Sequence, residues 1–390
     1  MWVRVQQSLF RLGWLTPVIL PLAEIGGRGL FNSLAVVYVL WGMLAVGNRF
    51  PRMDRVLALA YGGLIVGFLV SAIAAADPVM VLKDWGRWLL QALAFVLTLA
   101  ALQYEANNLK RLLAAYGVAA LITLVVLYLL LPGLLVQADF DPTHYLKEDN
   151  LPFLAPLLIY WIWNHTAGIW QRLGMAAAGL SIPVYVLGSQ GRAAFLGLLV
   201  AALVGVWLLK ERGRWKIMLL VLVLAGVGVG LGLDRFTRGS LQDADAGWEQ
   251  VLDRFSSNRI SIWRSAIEHP PASVWTGIGL GQVKRTATAD ELKPFAASHF
   301  HNFFLDCWYE TGFVGLAGML VFLLLMLRRG WYAWRCASGE TRHQAALLLA
   351  AALAIITSAL LSFSYTSRQF SLYLLVLFAG MHHLYRSGGK

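Results

Sequence analysis

The side chains that could do chemistry gather in one region. His299 and His301 flank Phe300 in the stretch SHFHNFFLDCWYETGFVG. An imidazole can take a proton from a hydroxyl near neutral pH if it is well positioned. Asn302, Asp306 and Glu310 follow on the same segment. His301 and Asp306 are five apart, a poor fit to direct pairing on one helix, where neighbours are three or four apart. As metal ligands the two histidines have no third partner at a telling spacing, and HEXXH is absent, so no metal is expected. Upstream, NRISIWRSAIEHPP carries Arg259 and Arg264, and LGSQGRAAFLG carries Arg192 between two apolar runs. Arg368 follows in SYTSRQF. A guanidinium presents a planar fork of donors that matches phosphate. Gly188 and Gly191 let the backbone bend before Arg192, and a helix starting there adds partial positive charge. Blander readings stand beside these. An arginine at a membrane boundary snorkels, Trp263 can anchor a helix at headgroup depth, and a lone histidine is often a hydrogen-bonded structural residue. GIGLG at 277–281 lacks the strand before it and the Lys-Ser/Thr ending of a P-loop, and reads as a turn.

The elements that must position these groups are membrane helices. Of 390 residues, 58% are hydrophobic and 14% charged, against about 25% charged in a soluble domain. The mean hydropathy of +0.63 agrees. The fold class is therefore an all-α polytopic membrane protein. The net charge of +11 would suggest nucleic acid in a soluble chain, but membrane proteins collect Lys and Arg in cytoplasmic loops, so no nucleic-acid partner is expected. A span needs about 20 mainly apolar residues. Twelve spans are expected, at Phe10–Leu22, Phe31–Val46, Val56–Ala76, Trp85–Gln103, Leu112–Leu131, Leu151–Asn164, Leu173–Gly188, Ala193–Leu209, Ile217–Leu233, Phe313–Leu327, Ala345–Phe363 and Phe370–His383. The first and sixth are short and carry prolines, which favours kinked or partly re-entrant helices. One integral domain results: spans 1–9 over residues 1–233, a long polar loop over 234–302, and spans 10–12 over 303–390. In the loop, Ile260, Trp263 and Ile267 have helical spacing and describe an amphipathic helix lying against the membrane, ended by Pro270 and Pro271.

Loop charge divides the chain into two sides. One side carries Arg49, Arg52, Arg55, Lys110, Arg111, Arg172, Lys210, Arg328, Arg329, Arg342 and Arg386 among others, with Asp54, Glu105, Glu211 and Glu340 as its acids. The positive-inside rule makes it cytoplasmic, with both termini. The other side holds the long loop together with 77–87, 132–150, 189–192 and 364–369. In a bacterium with two membranes it is the periplasm. Its acids and bases are mixed, so Arg192, Arg259, Arg264 and Arg368 need a reason other than topology.

RISIWRSAIEHPPASVWTGIGLGQ followed by SHFHNFFLDCWYETGFVGL resembles the signature of the O-antigen ligase and polymerase superfamily. The matching elements are Arg259, Trp263, Pro270, Gly277–Gly279, His301–Asn302 and Gly312–Gly315, with a short S-x-G-R element at Ser189–Arg192. The resemblance covers roughly the central third of the chain. It implies a glycosyltransferase of the bacterial inner membrane that moves a glycan from an undecaprenyl diphosphate carrier to an acceptor on the periplasmic face. For a ligase the acceptor is lipid A–core, and the step belongs to lipopolysaccharide biosynthesis. No cofactor and no metal are implied. Carried over by position, Arg192 and Arg259 clamp the diphosphate and His301 is the catalytic base. His299, Asn302, Arg264 and Arg368 are supporting positions. A polymerase and a protein O-oligosaccharyltransferase are same-family rivals. The latter often extends beyond its last span, whereas this sequence stops soon after His383. A transporter or flippase for a lipid-linked glycan is the rival of another class. Charges along the middle of several spans would favour transport, while grouping at one face favours interfacial chemistry.

Overall fold

A computed structural model describes residues 4–5, 7–8, 27–46, 50–105, 107–136, 151–188, 192–209, 253, 256–285 and 299–388. Among them the regular structure is helical throughout. In chain order the helices are α1 (Gly27–Val46), α2 (Arg55–Val70), α3 (Pro78–Tyr104), α4 (Asn108–Val136), α5 (Leu151–His165), α6 (Gly168–Gly188), α7 (Arg192–Leu209), α8 (Arg259–Glu268), α9 (Phe303–Cys336), α10 (Gly339–Ala359) and α11 (Arg368–Gly388). All but α8 fall on expected spans. The expected first and ninth spans, Phe10–Leu22 and Ile217–Leu233, lie outside the described residues, as does most of 234–302.

By length and composition, five described helices can cross a membrane: α3, α4 over Asn108–Val126, α7, α9 and α10. Asn32–Val46 of α1 and the whole of α2 are shorter apolar helices. The expected Val56–Ala76 span ends early, because the helix stops at Val70 and a turn follows. α9 departs in the other direction. It begins ten residues before the expected Phe313 and runs on to Cys336, with a break at Gly312. The two cysteines stand near opposite ends of α9, Cys307 buried and Cys336 exposed.

α10 and α11 are central. The apolar part of α10 is rich in alanine, with Ala345, Ala346, Ala350, Ala351, Ala352, Ala354 and Ala359 all buried. Small side chains let helix backbones approach closely in a membrane, where hydrocarbon offers no hydrophobic drive to associate. At the crossing with α7 a Cβ on Gly197 would meet Ser358 Oγ at 2.3 Å and the Ala354 carbonyl oxygen at 2.8 Å. The Ser358 hydroxyl donates to the Ala193 carbonyl at 3.2 Å, one residue after Arg192.

Polar contacts sort the described loops into two ends, with the same partition as the charge pattern. At one end Arg329 donates to Asp54 (2.7 Å) and lies 2.6 Å from His382 Nδ1. Lys110 pairs with Glu340 at 2.5 Å and Arg111 with Glu105 at 2.8 Å. Arg386 donates to the Arg52 carbonyl at 2.7 Å. Partial burial pushes the Asp54 carboxyl up, but hydrogen bonds from Arg329 and the Leu57 N–H and the Arg329 charge outweigh it, holding the group below its usual range. At the opposite end Asp84 pairs with Arg285, Leu280 N–H donates to Ser71, and Tyr309 donates to the His269 carbonyl. The histidines and the arginines of interest belong to this second end.

Candidate functional site

The site is built around the break in α9. Gly312 has φ 64° and ψ −171°, a region essentially reserved for glycine. Breaking the helix there orphans backbone groups on both sides, and a buried orphan is costly. The loop from Ser273 to Gly281 supplies the partners. Ile278 and Gly279 N–H donate to the carbonyls of Tyr309 and Glu310, at 3.1 and 2.9 Å. Phe313 and Val314 N–H donate to the carbonyls of Val274 and Trp275, at 2.9 and 3.1 Å. Backbone meets backbone so closely that a Cβ on Gly277 would lie 2.4 Å from the Glu310 carbonyl carbon, and one on Gly312 would lie 2.2 Å from that of Trp275. The glycine-rich stretch is thus a turn, as read from sequence, and its work is to clamp the broken helix.

Glu310 locks the clamp. Its carboxylate accepts from Gly281 N–H at 2.8 Å, Val283 N–H at 3.1 Å and the Tyr365 hydroxyl at 2.6 Å. Burial, and next the Glu310 charge, push the Tyr365 phenol well above its usual value, so it stays a donor. This carboxylate joins α9, the glycine loop and the segment between α10 and α11.

His299 and His301 lie in the turn that leads into α9. Asn302 is the N-cap, its Oδ1 accepting from Phe304 and Leu305 N–H at 3.0 and 3.2 Å. Asp306, almost fully buried, reaches back and accepts from Phe300 N–H at 2.9 Å. Sequence spacing had argued against pairing Asp306 with His301, and the structure puts His299 there instead, with Nδ1 3.7 Å from Asp306 Oδ2. His301 has φ 54°, the left-handed region that side chains rarely adopt. Its N–H donates to His299 Nδ1 at 3.0 Å. That nitrogen must be unprotonated to accept, so it cannot also donate to Asp306, and neutral His299 carries its proton on Nε2. The two rings are 4.1 Å apart.

The arginines reach this turn through α8. Arg192 starts α7 and is 9% exposed. It donates to Ser257 Oγ at 3.2 Å, two residues before Arg259. Asp253 holds the start of α8 by accepting from Ser261 N–H and Oγ, at 3.0 and 2.7 Å. Arg259 and Trp263 are four apart and share a helix face. The Trp263 indole N–H donates to the Phe300 carbonyl at 2.9 Å, so that face meets the histidine turn. Arg259 is half-buried and Arg264 exposed. Arg368 begins α11; its side chain lies outside the described residues. The face of α8 that is buried in the protein carries Ile262 and Ala266 and is distinct from the Ile260–Trp263–Ile267 stripe expected to lie against the membrane. Ile262 and Ala266 are buried with Phe300, Val283 and Tyr309, and Ile267 is 67% exposed. The helix packs on α9 and the glycine loop, and this small core decides its rotation.

Among the described residues no cluster of three His, Cys, Asp or Glu could hold a metal ion. The pattern is a turn with two imidazoles, hydrogen-bonded to α8 through Trp263, and a buried arginine that reaches Ser257 just before that helix. Residues 176–320 match the family model described as O-antigen ligase. Over that stretch, a little more than a third of its length, the chain is similar to the O-antigen ligase superfamily. No curated protein matches it. The O-antigen ligase match spans Arg192, α8, the glycine loop, both histidines and the break in α9, and leaves Arg368 outside. Sequence reasoning missed Ser257, Trp263 as a donor to the histidine turn, and Tyr365. The sequence shows Asp306 and Glu310 but assigns them no roles. Their one signal was two acids within five residues at the start of an apolar helix, where an acid is costly unless it is used.

Proposed function

We propose that the protein is an O-antigen ligase of a bacterial inner membrane. In this reading it transfers glycan from undecaprenyl diphosphate to lipid A–core at the periplasmic face. The observation that carries it is the hydrogen-bonded route from Arg192 to Ser257, along the Arg259–Trp263 face of α8, to the Phe300 carbonyl beside His301. It supports joint action of two phosphate-binding groups and one base.

Neutral His301 accepts the proton of the acceptor hydroxyl as that oxygen bonds to the anomeric carbon. The bond from that carbon to the diphosphate oxygen breaks, and undecaprenyl diphosphate leaves with its electron pair. Arg192 and Arg259 stabilise the charge that develops on the leaving oxygen, which is where preorganised donors act most strongly. Direct displacement inverts the anomeric centre. His299 holds the His301 backbone, and Asp306 holds the turn. A positioned base contributes about 10²–10⁴ in rate. The full layout of twelve spans, with the 234–302 loop in the periplasm and both termini in the cytoplasm, belongs to the same reading.

The test is transfer by purified protein in proteoliposomes loaded with lipid-linked glycan. Lipid A–core, a second lipid-linked glycan and a pilin-like protein are offered separately as acceptors. Product on lipid A–core alone is expected. Product on the second lipid-linked glycan would make the protein a polymerase, and movement of the donor across the bilayer without transfer to any acceptor would make it a transporter.

A further inference from the structure

A separate cavity of about 140 Å³ lies between α1, α3 and α11. Asn32, Val36, Arg87, Leu90, Gln91 and Leu372 are among its lining residues. It holds polar groups that neither the clamp nor the histidine turn uses. Gln91 is 9% exposed, and its buried Oε1 accepts no hydrogen bond among the described residues. A buried acceptor left unmade is expensive, so such an atom calls for a donor. Arg87 lies one turn before Gln91, on the same face of α3. It shares the single carboxylate of Asp84 with Arg285, so the two arginines leave one net positive charge at the mouth. Apart from the Asn32 amide, the remaining walls are apolar. Val36 and Leu90 are 48% and 44% exposed, which opens the cavity toward the outside of the helix bundle, where a membrane protein meets lipid.

The geometry points to a second amphiphile site, distinct from the Arg192–Arg259–His301 assembly, that takes the phosphate-bearing head of an anionic lipid. Arg87 meets the phosphate, and a hydroxyl or amide of the same head donates to Gln91. Phosphate oxygens alone cannot supply that donor. With about 140 Å³ of space the cavity has room for a phosphate or a short polar group. It is close to the transfer site through α11. The Phe370 ring lies 5.2 Å from that of Phe303, the first residue of α9 after the histidine turn and its cap, and Leu372 lines the cavity two residues on. Two sources share this chemistry: a bulk phospholipid such as phosphatidylglycerol, and a phosphorylated glucosamine lipid.

The experiment is native mass spectrometry of the full chain released from nanodiscs, without donor. The nanodiscs contain phosphatidylglycerol, a bis-phosphorylated glucosamine disaccharide lipid, or phosphatidylcholine, which lacks a hydroxyl or amide donor. The wild type should retain one or both anionic lipids over phosphatidylcholine, and which one identifies the source. Gln91→Leu and Arg87→Gln should each weaken retention by about tenfold, the loss of one hydrogen bond to a charged or buried partner. Val36→Trp, which fills the cavity from its exposed wall, should do the same without removing a buried contact. In Arg192→Ala the part of the retention that Val36→Trp removes should persist, which separates this site from the proposed transfer. Equal retention of phosphatidylcholine, unchanged retention in all three cavity variants, or displacement of the lipid by millimolar inorganic phosphate would each overturn the proposal.

Discussion

Replacing His299 and His301 in turn separates the base from the residue that holds it. In His301→Ala the imidazole that receives the proton is gone, and transfer should fall by about 10²–10⁴. His299→Ala acts indirectly. It removes the acceptor of the 3.0 Å bond from His301 N–H, worth about 0.5–1.5 kcal/mol. His301 sits at φ 54°, and a left-handed residue stores about 1–3 kcal/mol that surrounding contacts must hold. Asp306 to Phe300 N–H and Trp263 to the Phe300 carbonyl still pin the turn. The loss should therefore follow the one bond, about two- to twelvefold in rate, with donor binding intact. His299→Asn offers an oxygen to the same N–H and should recover most of the rate, whereas His301→Asn should not. The assay is single-turnover transfer in proteoliposomes, with donor binding measured separately. Transfer should also be lost in acid, because only the neutral ring can accept a proton. If His299→Ala is as damaging as His301→Ala and His299→Asn rescues nothing, the roles are exchanged and the reasoning fails.

Three further outcomes follow from the same structure. Arg192→Lys and Arg259→Lys should each transfer poorly, because Lys lacks the planar fork, with a loss of about 2–4 kcal/mol or 10²–10³ in rate; near-normal turnover in both alanine variants would make them snorkelling anchors. Cys336 and Ala272 are exposed at opposite ends of the molecule, so Ala272→Cys in a Cys336→Ser background should react with an impermeant thiol reagent in intact spheroplasts. Native Cys336 should react only after permeabilisation, and the reverse pattern would invert the topology. Gly312→Ala forces a Cβ to within 2.2 Å of the Trp275 carbonyl in a conformation fit for glycine alone, so it should lower the melting temperature in detergent and remove transfer; unchanged melting would mean the clamp is not rigid.

Composition and charge carried much of this protein in the sequence alone. Apolar runs place ten of the described helices, because lipid leaves a spanning backbone no partner but itself. Loop charges sort residues into two ends, and contacts such as Asp54–Arg329 and Lys110–Glu340 join residues assigned to one end. The motif that resembles the superfamily was legible because it holds polar and glycine residues in apolar surroundings. Roles within it were not. Spacing along a helix cannot predict that His299, outside the helix, turns back to Asp306, or that His301 takes a left-handed backbone conformation. Nor can it show that GIGLG and GFVG are two halves of one clamp, since backbone groups freed at Gly312 find their partners more than thirty residues away. The same limit governs α8. Its periodicity gave a helix, but the side it buries depends on Phe300, Val283 and Tyr309, which only tertiary packing brings beneath it.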